Sequence, residues 1–280
     1  MILGIDVSKW QREMNWYKAR KAGAYYAFIR AGSCTSVNGD CYTDDQFERN
    51  ASLAIEYLPV GFYWYFRPNH APIKQAEYFC DLIKGKRHNL PPVMDLEAKG
   101  LEQSPASITA AAVKFATRVF DRLGEWPLLY SRALWLNSNT VPDSVLKALG
   151  FWVARYNDSI IHPWGDDKCI PRDFIDWIFW QHSADNNGRG AEFGAQSKSI
   201  DLNFFNGDLA QFYAYVGGAP LLVEVKSRIA VSLRGGPGGP AIGATWRGTQ
   251  WPVVGVSEDG EYYKVESWIK RRSVKEVNNA

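Results

Sequence analysis

The sequence predicts an α/β chain: a β/α barrel followed by a small all-β barrel. Three observations carry this. Short apolar runs alternate with helical patterns up to about residue 215, the alternation of a mainly parallel sheet. Eight of those runs qualify as strands, enough to close a barrel, and little helix lies between the last three. After Gly217-Gly218-Ala219-Pro220 the pattern becomes short β-like runs punctuated by Gly and Pro.

In chain order, Ile2–Val7 is the first strand, and Asn15–Gly23 is a short helix that ends at glycine. Ala24–Ala31 is the second strand and Asp44–Tyr57 the second helix. Val60–Phe66 is a strand, Ile73–Lys84 a helix and Val93–Leu96 a strand. Ser104 then caps a long helix, with Pro105 at its first position and Gly124 after Leu123 at its end. Leu128–Tyr130 is the fifth strand and Val145–Leu149 part of a short helix. Phe151–Tyr156, Trp177–Gln181 and Ile200–Phe204 complete the set. The result is an irregular TIM-like barrel with some helices missing from its second half. An open doubly wound sheet is the alternative, disfavoured because no Gly-rich phosphate loop follows the first strand.

The expected boundaries are 1–216 for the barrel, 217–220 for a linker and 221–280 for the second domain. Leu221–Val225, Ile229–Leu233, Pro252–Val256 and Tyr262–Val265 are the strand candidates of that domain, about right for a small β-barrel.

Of 280 residues, 46% are hydrophobic and 22% charged, which excludes wholesale disorder. A formal charge of +2 argues against a strongly basic nucleic-acid binder. No run reaches the ~18 apolar residues of a membrane span, so no membrane insertion is expected. Met1–Val7 reads MILGIDV, without a basic leader, so the chain is expected to be made in the cytoplasm and released by another factor. Four cysteines are too few for a disulfide scaffold. Cys34 and Cys41 are close enough to bridge a loop, but reduced thiols are expected because no oxidising compartment is signalled.

The acids carry the chemistry. Asp6 ends the first strand, Asp95 and Glu97 end the fourth, and Asp201 lies in the last strand of the barrel. Strand ends surround the active site of a β/α barrel, so these carboxyls should converge on one pocket. Burying them without a reason is costly. Alternate residues of a strand share a face, with Cα atoms roughly 6.6 Å apart. Asp95 and Glu97 should therefore enter one cavity while Leu96 packs away. Two such carboxyls can divide the labour of glycosidic cleavage, one held protonated as acid and the other ionised.

GIDVSKWQ (4–11), AFIRAG (27–32), VGFYWYF (60–66), PPVMDLE (91–97), PLLYS (127–131), FWVARYN (151–157), WQHS (180–183) and IDLNFFNG (200–207) together resemble the family 25 glycoside hydrolases, the Chalaropsis-type N-acetylmuramidase lysozymes. The resemblance implies cleavage of the β-1,4 bond between N-acetylmuramic acid and N-acetylglucosamine in peptidoglycan, with retention. It implies Glu97 as general acid, Asp95 as its partner carboxylate, Asp6 and Asp201 as the other acids of the site, and Tyr63 in the substrate groove. The same stretches supply Gln11, Arg30, Tyr65, Tyr130, Tyr156 and Gln181 as candidate substrate-binding residues. Trp64 and His182 depart from the family, which often has His and Tyr there. VSLRGGPG (231–238), IGATWRG (242–248) and YYKVESWI (262–269) resemble a bacterial SH3 domain, implying a module that binds wall peptide or polymer. The combination looks like a phage endolysin.

No cofactor or metal is expected. His70, His88, His162 and His182 form no metal-ligand spacing. Cys34, Cys41, Cys80 and Cys169 sit in no nucleophile motif, and no Gly-x-Ser-x-Gly elbow is present. A non-catalytic wall-binding protein on a decayed barrel is the remaining alternative, and it predicts loss of the site acids.

Overall fold

The computed structural model describes residues 1–156, 174, 176–184, 186–217, 222–226, 230–247, 249–252, 255–256, 262–265, 268–270 and 274–277. His162, Cys169 and the linker positions 218–220 lie outside these residues. The chain divides into two compact units, Met1–Asp208 and Leu209–Ala280.

The first unit is a closed barrel. Its first strands are β1 (Ile2–Val7) and β2 (Ala27–Cys34), with β3 (Cys41–Thr43) added antiparallel to β2. The barrel continues through β4 (Val60–Tyr65), β5 (Val93–Asp95), β6 (Leu128–Arg132), β7 (Phe151–Ala154), β8 (Phe179–Ser183) and β9 (Asp201–Phe205). β9 then pairs with β1, and β1 with β2, to close the ring. All eight expected barrel strands are present. β3 was not foreseen, because three half-buried residues carry no periodicity.

Helices α1 (Trp16–Lys21), α2 (Phe47–Ala54), α3 (Pro72–Ile83), α4 (Pro105–Leu123), α5 (Ala133–Asn139) and α6 (Ser144–Ala148) fill the connections. α4 has the expected limits: Ser104 Oγ accepts from Ser107 N at 3.2 Å, and Gly124 ends the helix at φ 78°. Between β8 and β9 the described residues hold only a 3-10 turn, Asn186–Ala191. Among the described residues the second half of the barrel is thus poorer in helix than the first.

β9 breaks the parallel rule, running antiparallel to both β8 and β1. Its first residue, Asp201, therefore pairs with Asp6 near the end of β1, and its last, Phe205, pairs with Ile2. A parallel β9 would have put Asp201 at the opposite end of the barrel.

Two layers of packing hold the ring. One apolar layer joins outward strand residues such as Ile5, Val7, Ile29 and Met94 to helix residues such as Phe79, Phe115 and Val119. Inside the ring lies an aromatic column. Tyr26 meets Phe28 and Phe179, Phe179 meets Phe205, and Trp152 stacks on Phe28 with centroids 4.4 Å apart. Gly4 admits this column, since a Cβ there would lie 2.3 Å from the Tyr26 ring. Cys34 and Cys41 face each other across the β2–β3 pair as free thiols, and burial pushes the Cys34 thiol up.

The second unit starts with α7 (Leu209–Tyr215), and its other described elements are short strands. Leu222–Val225, Gln250–Pro252 and Val274–Val277 form one antiparallel sheet. Val231–Arg234, Ala241–Thr245, Gly255–Val256, Tyr262–Lys264 and Trp268–Lys270 form another. Its small core joins Val225, Val231, Val265 and Ile269.

Candidate active site

The mouth of the barrel holds a cavity of about 260 Å³. It is lined by Asp6, Asp95, Glu97 and Asp201, together with Gln11, Arg30, Tyr63, Tyr65, Tyr130, Tyr156 and Gln181. All eleven candidate residues thus meet in one place. Ser8, Trp10 and Trp152 line it as well.

Strand alternation puts each acid there. In β1, Ile5 and Val7 enter the outer core while Asp6, only 5% exposed, faces the cavity. Past β5, Leu96 is pinned by Leu96 N to Tyr130 O at 2.9 Å and by Ser131 Oγ to Leu96 O at 2.6 Å. That clamp keeps the extended backbone through Leu96, so Asp95 and Glu97 share the cavity and Leu96 is fully buried. At β4 the register sends Tyr63 into the cavity, against Trp152. Trp64 points the other way, and its Nε1 donates to Gln75 Oε1 at 3.2 Å under α3.

A buried hydrogen-bond chain crosses the floor. Trp152 Nε1 donates to Asn203 Oδ1 at 2.8 Å, which leaves Asn203 Nδ2 to donate to Asp6 Oδ2, also at 2.8 Å. Gln181 Nε2 donates to the same Asp6 oxygen at 2.8 Å. Gln181 Oε1 accepts from Tyr130 OH at 2.6 Å and Tyr156 OH at 2.9 Å. Each amide's orientation is fixed by its partners. Asn203 is fully buried and was missed in the sequence. The signal was available: in β9 it sits two residues after Asp201, on the same face.

Gln11 has a second task. Its Oε1 accepts from Ser8 N at 2.8 Å, closing a capping box on the turn Lys9–Gln11. Arg30 lies over the Tyr65 ring at 5.0 Å, and Arg67 over the same ring at 5.2 Å. Trp10 is 68% exposed, an aromatic face offered at the rim.

The electrostatics are those of crowded acids. Burial, then the neighbouring Asp201, pushes the Asp6 carboxyl well above the usual range, although the two amides pull the other way. Burial, then Glu97, also pushes Asp95 well above the usual range, with Arg30 opposing. Glu97 is raised by burial but held down by Arg132 and Arg30. Both carboxyls of the pair are thus raised by burial, with Arg30 opposing the rise at each and Arg132 opposing it at Glu97. Asp95 Oδ1 is buried and accepts no hydrogen bond, as suits a group reserved for substrate. Burial also pushes the Tyr156 phenol up to about 12.

Among the described residues no cluster of His, Cys, Asp and Glu could hold a metal ion. No helix among them is long and apolar enough to cross a membrane.

The family model "Glycosyl hydrolases family 25" matches residues 5–191. Lysozyme M1 of Streptomyces globisporus is 32% identical over 224 residues, 76% of this chain and 70% of that protein. The uncharacterized protein YegX of Escherichia coli K12 is 29% identical, covering 78% of this chain and 74% of its own length. The crystal structure of a lysozyme from Streptomyces coelicolor is 30% identical, with a TM-score of 0.63 over 77% of this chain and 96% of that one.

Proposed function

The chain belongs to the glycosyl hydrolases of family 25, and on that premise we propose that Glu97 and Asp95 cleave the β-1,4 bond between N-acetylmuramic acid and N-acetylglucosamine with retention. It is a muramidase acting on peptidoglycan. The observation that carries the residue assignment is the placement of Asp95 and Glu97, one residue apart, in a single cavity with Asp6 and Asp201.

In this reading Glu97 gives its proton to the leaving glycosidic oxygen, and Asp95 faces the positive charge that grows at the anomeric carbon. The growing charge favours ionised Asp95. Either the Asp95 carboxylate or the substrate's own acetamido oxygen then closes on that carbon, and both routes retain configuration. Asp6 holds the amide of Gln181, and through it the phenols of Tyr130 and Tyr156, toward the sugar. Mass spectrometry of digested peptidoglycan tests the reaction: fragments should end in reducing muramic acid, and ends at glucosamine or freed stem peptides would overturn it.

By the same proposal the second unit is an SH3-like module that binds wall peptide or polymer. Its antiparallel strands and the exposed Ile242 and Trp246 support this. The whole chain then works as a phage-type endolysin, made in the host cytoplasm and lysing the wall after release.

A further inference from the structure

A second cavity, of about 430 Å³, lies beside the first, and Tyr156 lines both. Its walls are mostly apolar, formed by Leu134 and Trp135 of α5 with Ala133 and Ala154. Arg132 stands at its edge. The same Arg132 is the cation that acts most strongly on Glu97 of the first cavity.

The catalytic cavity shows what this chain uses for sugar: carboxyls, phenols and amides, which match hydroxyls and acetamido groups. The second cavity is different, a mostly apolar surface bordered by two guanidiniums, those of Arg132 and Arg155. Such a surface fits small aliphatic side chains and a carboxylate. In peptidoglycan both come attached to the muramic ring, as a stem peptide that starts at an alanyl residue and continues with an acidic one. A stem leaving a muramic ring in the catalytic cavity passes Tyr156 to reach it.

We propose that the cavity between β6, α5 and β7 binds the stem peptide of the muramic residue being cleaved, the alanyl methyl against Leu134 and Trp135 and the acidic carboxylate near Arg132. This rests on the muramidase reading above. It makes the enzyme selective for peptide-bearing glycan, a preference the four acids cannot supply. Leu134 and Ser138 lie one turn apart on the wall of the cavity and are exposed, so both can be changed without disturbing the core.

The test compares soluble glycan strands carrying stem peptides with the same strands stripped by an amidase. The wild type should cleave the stemmed strands with about 10-fold higher kcat/KM. Leu134→Asp, and separately Ser138→Asp, should remove about that 10-fold on stemmed strands and leave stripped strands unchanged. Binding of a muramyl dipeptide to the Glu97→Gln protein should weaken with Leu134→Asp, while binding of N-acetylmuramic acid alone should not. Equal loss on both strands would assign the cavity to sugar and overturn the proposal. So would equal wild-type rates on both, or variants with no effect on either. Failure of the wild type on both strands would instead overturn the muramidase reading, and this inference with it.

Discussion

Asp6 and Asp201 are direct partners across the antiparallel β1–β9 pair, two carboxyls facing each other on neighbouring strands. Like charges opposed in this way destabilise a sheet. Here burial and then Asp201 raise the Asp6 carboxyl, and the amides of Gln181 and Asn203 offset part of the cost.

Asp6→Asn should therefore stabilise the fold while lowering activity. Asp6 is raised in the folded chain, so the folded state binds more protons than the unfolded one once the pH passes the ordinary carboxyl range, ~3.9. Its contribution is whole below that range and is lost as the pH rises through the higher folded value. The gain in Tm from Asp6→Asn should be absent near pH ~3.9 and present at pH ~7. Thermal melts at the two pH values, beside turbidity assays on cell walls, check it. A large loss of stability with activity intact would make Asp6 purely structural.

Glu97→Gln keeps the shape of the side chain and removes its proton. Activity should fall about 10²–10⁴-fold with Tm preserved, since the group faces a cavity. Circular dichroism melts and wall lysis measure the two. Near wild-type activity would reassign the acid.

Tyr63 and Trp64 are neighbours with opposite duties. Tyr63→Ala should raise KM or lower kcat with little effect on stability. Trp64→Ala should cost about 3–5 kcal/mol, because it empties a fully buried site and removes the hydrogen bond to Gln75. Denaturant melts and kinetics on each variant distinguish them, and a reversed pattern would contradict the register of β4.

Trp10 is the rim residue that the acids did not announce. Trp10→Ala should leave stability within about 0.5 kcal/mol, as the ring is mostly exposed. It should raise KM for glycan by about 10-fold if the ring is a sugar platform. Quenching of tryptophan fluorescence by glycan fragments should weaken in the variant; unchanged quenching and KM would remove Trp10 from the groove.

The second unit should serve delivery rather than chemistry. Residues 1–216 alone should cleave short glycan oligomers near the full rate and lyse intact walls much more slowly, since tethering raises local concentration without adding a catalytic contact. Residues 218–280 should sediment with walls, and Trp246→Ala should weaken that. Equal loss of both rates on truncation would place part of the active site in the second unit.

The barrel and its acids were legible because period-two burial and unexplained carboxyls at strand ends both leave marks in sequence. What stayed hidden depends on the direction and depth of particular strands. Nothing in Ile200–Phe204 says that β9 runs backwards, although the position of Asp201 depends on it. Trp152 reads as one more core aromatic until the column beneath it is seen. The second cavity was invisible too, because α5 is a short helix with no strong pattern.

The reversal of β9 also brings the two ends of the barrel together. Ile2 pairs with Phe205, so the first and last strands begin and finish side by side, away from the Asp6–Asp201 end. The chain around the ring is in effect a loop cut at one point. Joining residue 1 to residue 208 by a few flexible residues and reopening the circle in the α3–β5 connection would give a circularly permuted enzyme. Its strand order around the ring would be unchanged, and so would the place where its acids meet.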